Sequence, residues 1–192
     1  MEDLLFKYKN DHKPTSGCLL ISEPHLPDVN FERSVIYLCE HNDKGSFGLV
    51  LNKKSNYTLN ELVKDTNVDK TVGIGGPVEH NTLHYLFRNL NNIEGAINVG
   101  DNIYWGGNYE QVLESVNLKG SNNDVLFYLG YSGWSEGQLQ EEIDRNSWIV
   151  FPNATEQLVF NTRYKNLWKE VLKEMGGRYS VFANYPTDPR LN

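Results

Sequence analysis

The sequence predicts an α+β fold with mostly antiparallel pairing, and three observations support this prediction. Short runs rich in β-branched and aromatic residues outnumber the helical patterns along the 192 residues. Several neighbouring runs are joined by links too short for the crossover helix that a parallel pair needs. The chain also has no internal repeat and no linker-like tract. We therefore expect an N-terminal arm over residues 1–16 and a single domain over residues 17–192.

The predicted strands begin where the polar start of the chain gives way to apolar runs. Three runs near the N-terminus, the last two joined by a hairpin turn at 42–45, are expected to form the first part of the sheet: 18–21, 34–40 and 46–52. Further strands are expected at 71–75, 82–88, 94–99, 102–105, 124–130 and 147–151.

Four helical patterns complete the predicted elements: 59–65, a segment opened by Asn108, 135–145, and 163–175. The first and third begin with a capping-box pattern, formed by Thr58 with Glu61 and by Ser135 with Gln138. The fourth has a continuous apolar face, as an amphipathic helix does. The last fifteen residues contain two prolines and are expected to form an extended C-terminal tail.

Charge and composition exclude several classes of protein. The chain has 18 Lys and Arg against 25 Asp and Glu, a net charge of −7, which disfavours direct nucleic-acid binding. Two cysteines cannot form a disulfide framework. No apolar run approaches the ~20 residues of a membrane span, and the first residues lack a signal-peptide core. We therefore expect a cytoplasmic protein that does not bind membranes.

The end of the second predicted strand places a thiol beside an imidazole. Strand periodicity puts Cys39 and His41 on one face and Glu40 on the other. A thiol beside an imidazole can act as a nucleophile, and an exposed thiol with a lowered pKa can act as a redox sensor. The alternative is that Cys39 is a small buried residue and that His41 caps the following turn.

Two other motifs have structural explanations beside functional ones. Arg33 can hold a carboxylate or phosphate, or it can pair with an acidic neighbour such as Asp28 or Glu40. The glycine-rich bend at 75–78 lacks the residues of a phosphate-binding loop, so we predict a turn at which two backbone segments approach closely.

Two apparent catalytic patterns are incomplete. His80 and His84 have the spacing of helical metal ligands, but their surroundings predict a strand, so we predict neither a metal site nor a cofactor. Residues 130–134 lie between a predicted strand and helix, as the nucleophile elbow of a hydrolase does. Trp134 stands where that motif needs a glycine, so Ser132 is not expected to be a nucleophile.

These motifs, in this order, resemble the AlgH-like bacterial proteins. The resemblance is carried by segments 17–24, 26–28, 31–41, 45–52, 75–78 and 130–143, by Trp148, and by the ending 185–192. One departure is Val29, where the family pattern usually has proline after the aspartate. The resemblance implies a bifurcated, mostly antiparallel sheet that is curled into a pseudo-barrel with flanking helices. Some members are labelled transcriptional regulators, and the family offers no agreed catalytic residues to transfer.

Two functions are compatible with these observations. The expected one is a non-enzymatic regulatory or binding protein of the bacterial cytoplasm that acts through a protein or small-molecule partner. The alternative is a small-molecule enzyme with a polar site formed by Arg33, Ser34, Glu40, His41 and Asn52, with Trp134 and Gln138 nearby. The same residues can instead form a hydrogen-bonded network inside the barrel, because buried polar groups need partners.

Overall fold

The structure, a computed structural model, describes residues 10, 12–119, 123–152, 154–160 and 166–186. Most of the predicted arm, the first residues of the predicted helix at 163 and the end of the predicted tail, 187–192, lie outside the described residues. No helix in the described part has both the length and the apolar character needed to cross a bilayer.

The described residues form ten strands and six helices. The strands are β1 (Leu19–Ser22), β2 (Val35–Asn42), β3 (Gly45–Val50), β4 (Lys54–Thr58), β5 (Thr71–Ile74), β6 (Val78–Phe87), β7 (Ala96–Gly100), β8 (Ile103–Gly106), β9 (Val125–Ser135) and β10 (Trp148–Phe151). The helices are α1 (Leu59–Leu62), α2 (Tyr109–Lys119), α3 (Gln138–Asp144), α4 (Glu156–Val159), α5 (Leu167–Met175) and α6 (Gly177–Phe182).

The strands form one forked sheet. Its main path runs β10-β1-β2-β3-β9-β6-β8-β7 with antiparallel pairing, while β5 joins β9 in parallel and carries β4 on its other side. One edge of β9 pairs with β5 at Tyr128 and Leu129 and with β3 from Ser132 to Ser135. The sheet therefore divides along β9. The predicted α+β class with a bifurcated, mostly antiparallel sheet is confirmed.

The glycine-rich bend after β5 makes this fork possible. A Cβ atom on Gly75 would lie 2.3 Å from the carbonyl oxygen of Gly130, so a larger residue does not fit between the two backbones. The Gly75 carbonyl accepts hydrogen bonds from the backbone N–H of Val50 at 2.8 Å and from the Ser132 hydroxyl at 3.0 Å. The prediction of a close backbone approach at 75–78 is confirmed.

The sheet curls until β7, at one end, approaches β2 and the segment that precedes β1. The hydroxyl of Tyr37 on β2 donates to the carbonyl oxygen of Val99 on β7 at 3.2 Å, and a Cβ atom on Gly17 would lie 2.3 Å from that oxygen. One continuous apolar core lines the concave face and packs against α4, α5 and α6. The opposite face packs against α3 near β1, β2 and β10, and against α1 and α2 near β6 and β9.

One side chain takes the place of a neighbouring strand at the edge of the sheet. The Asn10 amide donates to the carbonyl oxygen of Trp148 at 2.9 Å and accepts from the N–H of Val150 at 2.8 Å. These two groups face outward from β10. The amide of Asn10 therefore satisfies the same groups that a paired strand would use.

Several predicted elements differ from the structure. Strand β4 and helix α4 were not predicted, and α6 begins the segment that was expected to be extended. Helix α1 ends at Leu62 rather than at residue 65, although Glu61 accepts the Thr58 N–H at 2.7 Å as predicted. Half of the capping box predicted for α3 is present: the Gln138 side-chain oxygen accepts the Ser135 N–H at 3.0 Å, but Ser135 is not the N-cap residue. That helix begins at Gln138 after Gly137, whose positive φ of 73° forms the entry turn.

Candidate functional site

The polar residues singled out from the sequence form two separate groups. Arg33 precedes β2 and His41 lies near its end. Eight residues of extended chain span roughly 25 Å. Ser34 and Asn52 lie with Arg33, whereas Glu40 lies beside His41 at the other end of the strand. The arrangement therefore does not form one polar site that joins Arg33 to His41.

Asn52 holds the backbone around Arg33. Its side-chain oxygen accepts the N–H of Val35 at 2.9 Å, and its amide donates to the carbonyl of Arg33 at 2.8 Å. Arg33 itself has a positive φ of 48°, which is uncommon for a residue with a side chain. Asn52 thus stabilises a tight turn that directs the chain into β2.

The Arg33 side chain lies against the C-terminal part of the chain. One terminal nitrogen donates to the Tyr185 carbonyl at 2.7 Å, and the guanidinium carbon lies 4.8 Å from the centroid of the Trp168 ring. The predicted ion pair of Arg33 with Asp28 or Glu40 is wrong: neither carboxylate lies within 4.0 Å of it. A carbonyl and an indole face take the place of a carboxylate.

Two serines and an indole surround this arginine. Ser22 and Ser34 are both fully buried, and the Ser34 N–H donates to the Ser22 hydroxyl at 2.9 Å. Trp168 donates its indole N–H to the Ser22 carbonyl at 2.9 Å. We call Ser22, Arg33, Ser34, Trp168 and Tyr185 the Arg33 cluster. Within the described residues, the Arg33 Nε and the Ser34 hydroxyl are buried without a hydrogen-bond partner.

A bulge in β2 separates Cys39 from His41. The pairing of β2 with β3 shifts between Leu38 and Glu40, so Cys39 is the extra residue. His41 is then paired with Ser46, and its Nδ1 lies 2.7 Å from the Ser46 hydroxyl oxygen. Ser46 lies on the face that packs against α3, whereas Cys39 lies in the concave core. The prediction that Cys39 and His41 share a face is wrong.

The cysteine environments disfavour thiolates. Cys39 is 2% exposed, and burial together with the charge of Glu40 raises its thiol pKa. Burial also raises the pKa of the Cys18 thiol to about 11. Because the thiolate is the reactive form, both side chains have the properties of inert core residues.

Trp134 and Gln138 belong to a network centred on Glu142, which the sequence did not indicate. One carboxylate oxygen of Glu142 accepts the indole N–H of Trp134 at 2.8 Å and that of Trp148 at 2.7 Å. The other oxygen accepts the Gln138 amide at 2.9 Å. We call these four residues the Glu142 network. Trp134 is only 6% exposed, so this network fastens α3 to the sheet.

The remaining motifs also have structural partners. The 130–134 segment lies inside β9 rather than between a strand and a helix, and the Ser132 hydroxyl donates to a backbone carbonyl. His84 lies on β6 within a cluster of aromatic rings with Phe47, Trp105 and Tyr131, and burial lowers its pKa. No group of three or more metal-binding side chains comes together among the described residues.

A cavity lies on the outer face of the sheet, and sequence motifs did not indicate it. Its volume is about 480 Å³. Most of the lining side chains are apolar or aromatic: Leu62, Val63, Asn81, Leu83, Tyr85, Tyr109 and Leu129. Leu83 and Leu129 are direct partners on β6 and β9 and form its floor. The end of α1 and the start of α2 form its walls.

Two polar side chains reach this cavity. Four residues separate Val78 from Leu83 on β6, whereas one residue separates their partners Tyr131 and Leu129 on β9, and the resulting bulge carries Asn81 to the rim. Tyr109 lies opposite, and burial, together with the charge of Asp65, raises the pKa of its hydroxyl. A neutral phenol and an amide can orient a ligand by hydrogen bonds while the remaining lining stays apolar.

Comparison with known proteins gives the family of the chain. The sequence model of the AlgH-like family, DUF179, matches residues 19–180. The chain belongs to the AlgH-like family. A UPF0301 protein of Cytophaga hutchinsonii is 42% identical over 182 residues, which cover 93% of this chain and 99% of the relative. A UPF0301 protein of Chlorobium limicola is 35% identical, with 92% of this chain and 95% of the relative covered.

Two solved structures share the AlgH-like fold. A crystal structure of a Corynebacterium diphtheriae protein has a TM-score of 0.79 at 19% identity, with 94% of this chain and 97% of that chain covered. The solution structure of the AlgH protein from Pseudomonas aeruginosa has a TM-score of 0.71 at 26% identity, with 93% and 98% covered. These similarities show that the chain shares its fold with both proteins.

Proposed function

We propose that this AlgH-like protein is a non-enzymatic binding protein of the bacterial cytoplasm that holds a small, mostly apolar molecule in the cavity between α1, α2 and the sheet. The observation that carries this proposal is the cavity itself. Its volume of about 480 Å³ falls within the range of roughly 300–1,000 Å³ that small-molecule sites occupy. Its lining combines a leucine floor with two polar side chains at the rim.

The chemistry of the lining defines the class of ligand. Apolar contacts supply affinity at about 25 cal/mol per Å² of surface removed from water. The amide of Asn81 and the hydroxyl of Tyr109 can each donate a hydrogen bond, which favours a ligand with an uncharged polar end. None of the seven lining residues carries a formal charge at neutral pH.

The state of the candidate catalytic residues supports a binding role over an enzymatic one. The Cys39 thiol is buried, and the Ser132 hydroxyl is bonded to the backbone. Arg33 and His41 lie at opposite ends of a strand. A regulatory role, which some relatives' labels suggest, would then act through the bound molecule or a protein partner. The net charge of −7 disfavours direct contact with DNA.

The test is binding of a neutral apolar dye to the cavity. N-phenyl-1-naphthylamine fluorescence is titrated with the natural chain and with Leu83→Trp and Leu62→Trp, which place an indole in the cavity. Leu118→Trp is the matched control, since Leu118 is 76% exposed on α2 and does not line the cavity. Circular dichroism confirms that each variant is folded. Mass spectrometry of small molecules that copurify with the protein then identifies natural ligands.

We expect the dye to bind the natural chain and Leu118→Trp alike. We expect at least tenfold weaker binding to both cavity variants. Equal dye binding by all four proteins, or no binding by the natural chain, would overturn the proposal. Leu62 lies at the exposed rim, so that variant keeps the test valid if Leu83→Trp does not fold.

A further inference from the structure

The polar groups that line the cavity differ in whether they already have a partner. The Tyr85 hydroxyl donates to the Gly107 carbonyl at 2.6 Å and is therefore satisfied. Tyr109, whose ring centroid lies 6.1 Å from that of Tyr85, makes no hydrogen bond through its hydroxyl to any described residue, and neither does the amide of Asn81. These two groups are available to a ligand.

The bulge of β6 holds the rim around Asn81 in place. The Thr82 hydroxyl donates its only proton to the Glu79 carbonyl at 2.8 Å, so the His84 Nε2–H is the donor to that hydroxyl, 3.0 Å away. Glu79 has a positive φ of 47°, which is uncommon for a residue with a side chain. These bonds fix the bulge that carries Asn81, and a fixed rim loses less entropy when a ligand binds.

The electrostatic surroundings of the cavity disfavour an anion. None of the lining side chains is cationic. Burial, and to a smaller degree the charge of Asp65, raises the pKa of the Tyr109 hydroxyl, so the charge that acts on this part of the rim is negative. A carboxylate at this position would lose contacts with water without gaining a counter-charge, whereas an uncharged oxygen needs only hydrogen bonds.

The volume of the cavity sets the size of the molecule that fits. An apolar cavity of about 150 Å³ binds one benzene ring, which corresponds to roughly 25 Å³ per non-hydrogen atom. At that density, the cavity of about 480 Å³ has room for about 19 non-hydrogen atoms. A ten-carbon chain with one polar end therefore fits.

We propose that the molecule held in this cavity is a neutral medium-chain amphiphile, such as an aliphatic alcohol or ketone, and that Tyr109 and Asn81 select it over the corresponding carboxylate. The selection rests on the function proposed above, since it acts at the same cavity. The chain packs on the floor formed by Leu83 and Leu129. The ligand oxygen lies at the rim, where the Tyr109 hydroxyl and the Asn81 amide can donate to it.

The experiment compares decan-1-ol with sodium decanoate as competitors of N-phenyl-1-naphthylamine at pH 7.5, both below the concentrations at which they aggregate. Asn81→Lys adds a cation to the rim, and Tyr109→Phe removes the hydroxyl but keeps the ring. The matched controls are Asn98→Lys and Tyr57→Phe, at exposed positions on β7 and β4 that do not line the cavity. Circular dichroism confirms folding. The preference is a ratio of two dissociation constants in one protein, so an unfolded fraction does not change it.

We expect the natural chain and both controls to bind decanol roughly tenfold more tightly than decanoate, because the carboxylate enters without a counter-charge. Asn81→Lys should bind decanoate roughly tenfold more tightly than the natural chain does, since the new ammonium group supplies that charge. Tyr109→Phe should bind decanol about fivefold more weakly, which corresponds to the loss of one hydrogen bond.

Two results would overturn the selection while the function proposed above still holds, because the ligands still displace the dye. One is that the natural chain binds decanoate as tightly as decanol, or more tightly. The other is that Asn81→Lys behaves like Asn98→Lys and Tyr109→Phe behaves like Tyr57→Phe. Failure of the dye itself to bind the natural chain would overturn the proposed function and the selection together.

Discussion

The Arg33 cluster and the Glu142 network are both built around indole rings, but only one of them is complete. In the Glu142 network the two carboxylate oxygens accept three hydrogen bonds from two indoles and an amide. In the Arg33 cluster the indole of Trp168 is bonded to Ser22, yet the Arg33 Nε and the Ser34 hydroxyl have no partner in the described residues. The difference separates a network whose charge is held by several hydrogen bonds from a cluster in which two buried polar atoms contribute none.

The largest effect on stability is expected in the Glu142 network. Glu142→Gln places an NH₂ group against at least one of the three donors and removes the charge that they stabilise. We expect the free energy of unfolding to fall by about 3 kcal/mol, the upper end of the range for hydrogen bonds to a charged group, because the half-buried Glu142 loses several of them. Urea unfolding at pH 7 measures the change.

The matched control is Glu141→Gln on the same helix. Glu141 pairs with Arg145 at 3.7 Å, but both side chains are at least 70% exposed. We expect a change below about 0.5 kcal/mol. Equal effects of the two substitutions would show that the Glu142 network does not stabilise the fold.

The two hydrogen bonds by which Asn52 holds the backbone around Arg33 are expected to have an intermediate effect on stability. Asn52→Ala removes both hydrogen bonds and leaves the buried Val35 N–H without an acceptor. We expect a loss of about 2 kcal/mol in the free energy of unfolding. Asn98→Ala, at an exposed position on β7, should change it by less than about 0.5 kcal/mol. If Asn52→Ala lowers the free energy of unfolding no more than Asn98→Ala does, the two Asn52 hydrogen bonds do not stabilise the fold.

Lys70 provides a half-buried cation that, unlike Arg33, can lose its proton. Burial lowers its pKa to about 8, and the charge of Asp124 only partly opposes this effect. Between pH 8 and 10.5 the unfolded chain therefore binds this proton more strongly than the folded chain does. The contribution of Lys70 to the free energy of unfolding therefore becomes more favourable as pH rises over that range.

The measurement compares the natural chain with Lys70→Met at pH 7 and pH 9.5. Urea unfolding should show the natural chain gaining on the order of 1 kcal/mol relative to the variant as pH rises. The difference between the two proteins isolates Lys70 from the cysteines and tyrosines, which titrate in both. Identical pH slopes for the two proteins would contradict the lowered pKa.

The smallest effect is expected at Ser34. Ser22 and Ser34 are both fully buried, but only the Ser22 hydroxyl has a described partner, the Ser34 N–H at 2.9 Å. Ser34→Ala should therefore change stability by less than about 0.5 kcal/mol, while Ser22→Ala should cost about 1.5 kcal/mol. Thermal unfolding of the two variants side by side tests this. A larger loss for Ser34→Ala would mean that its hydroxyl already has a partner.

Most strands could be predicted because they are short runs rich in apolar, β-branched and aromatic residues, but β4 and the end of β9 could not. Strand β4 is largely exposed and polar, and its pairing with β5 and the Ser55 hydrogen bond to Val72 hold it in place. Strand β9 continues past Gly130 and Gly133, although glycines usually indicate a break in a predicted strand. Helix α6 begins at Gly177, a residue that predicts a helix end more often than a start.

Sequence patterns singled out the polar residues around Arg33 and His41, but they did not show that these residues form two separate groups. A one-residue bulge at Cys39 moves His41 to the other face, and residue spacing alone cannot show a bulge. The Tyr185 carbonyl that contacts Arg33 is 152 residues away along the chain. The cavity was missed because its lining comes from α1, the bulge in β6, α2 and β9. Ordinary leucines and tyrosines form most of it.

The Asn10 amide also limits how copies of this protein can assemble. A second molecule that added a strand beside β10 would need the Trp148 carbonyl and the Val150 N–H, and Asn10 already occupies both. Among the described residues, the Asn10 side chain therefore blocks addition of an intermolecular strand at this edge. Loss of that amide would leave the Trp148 carbonyl and the Val150 N–H without this partner, and these are the groups that a strand from another chain would use.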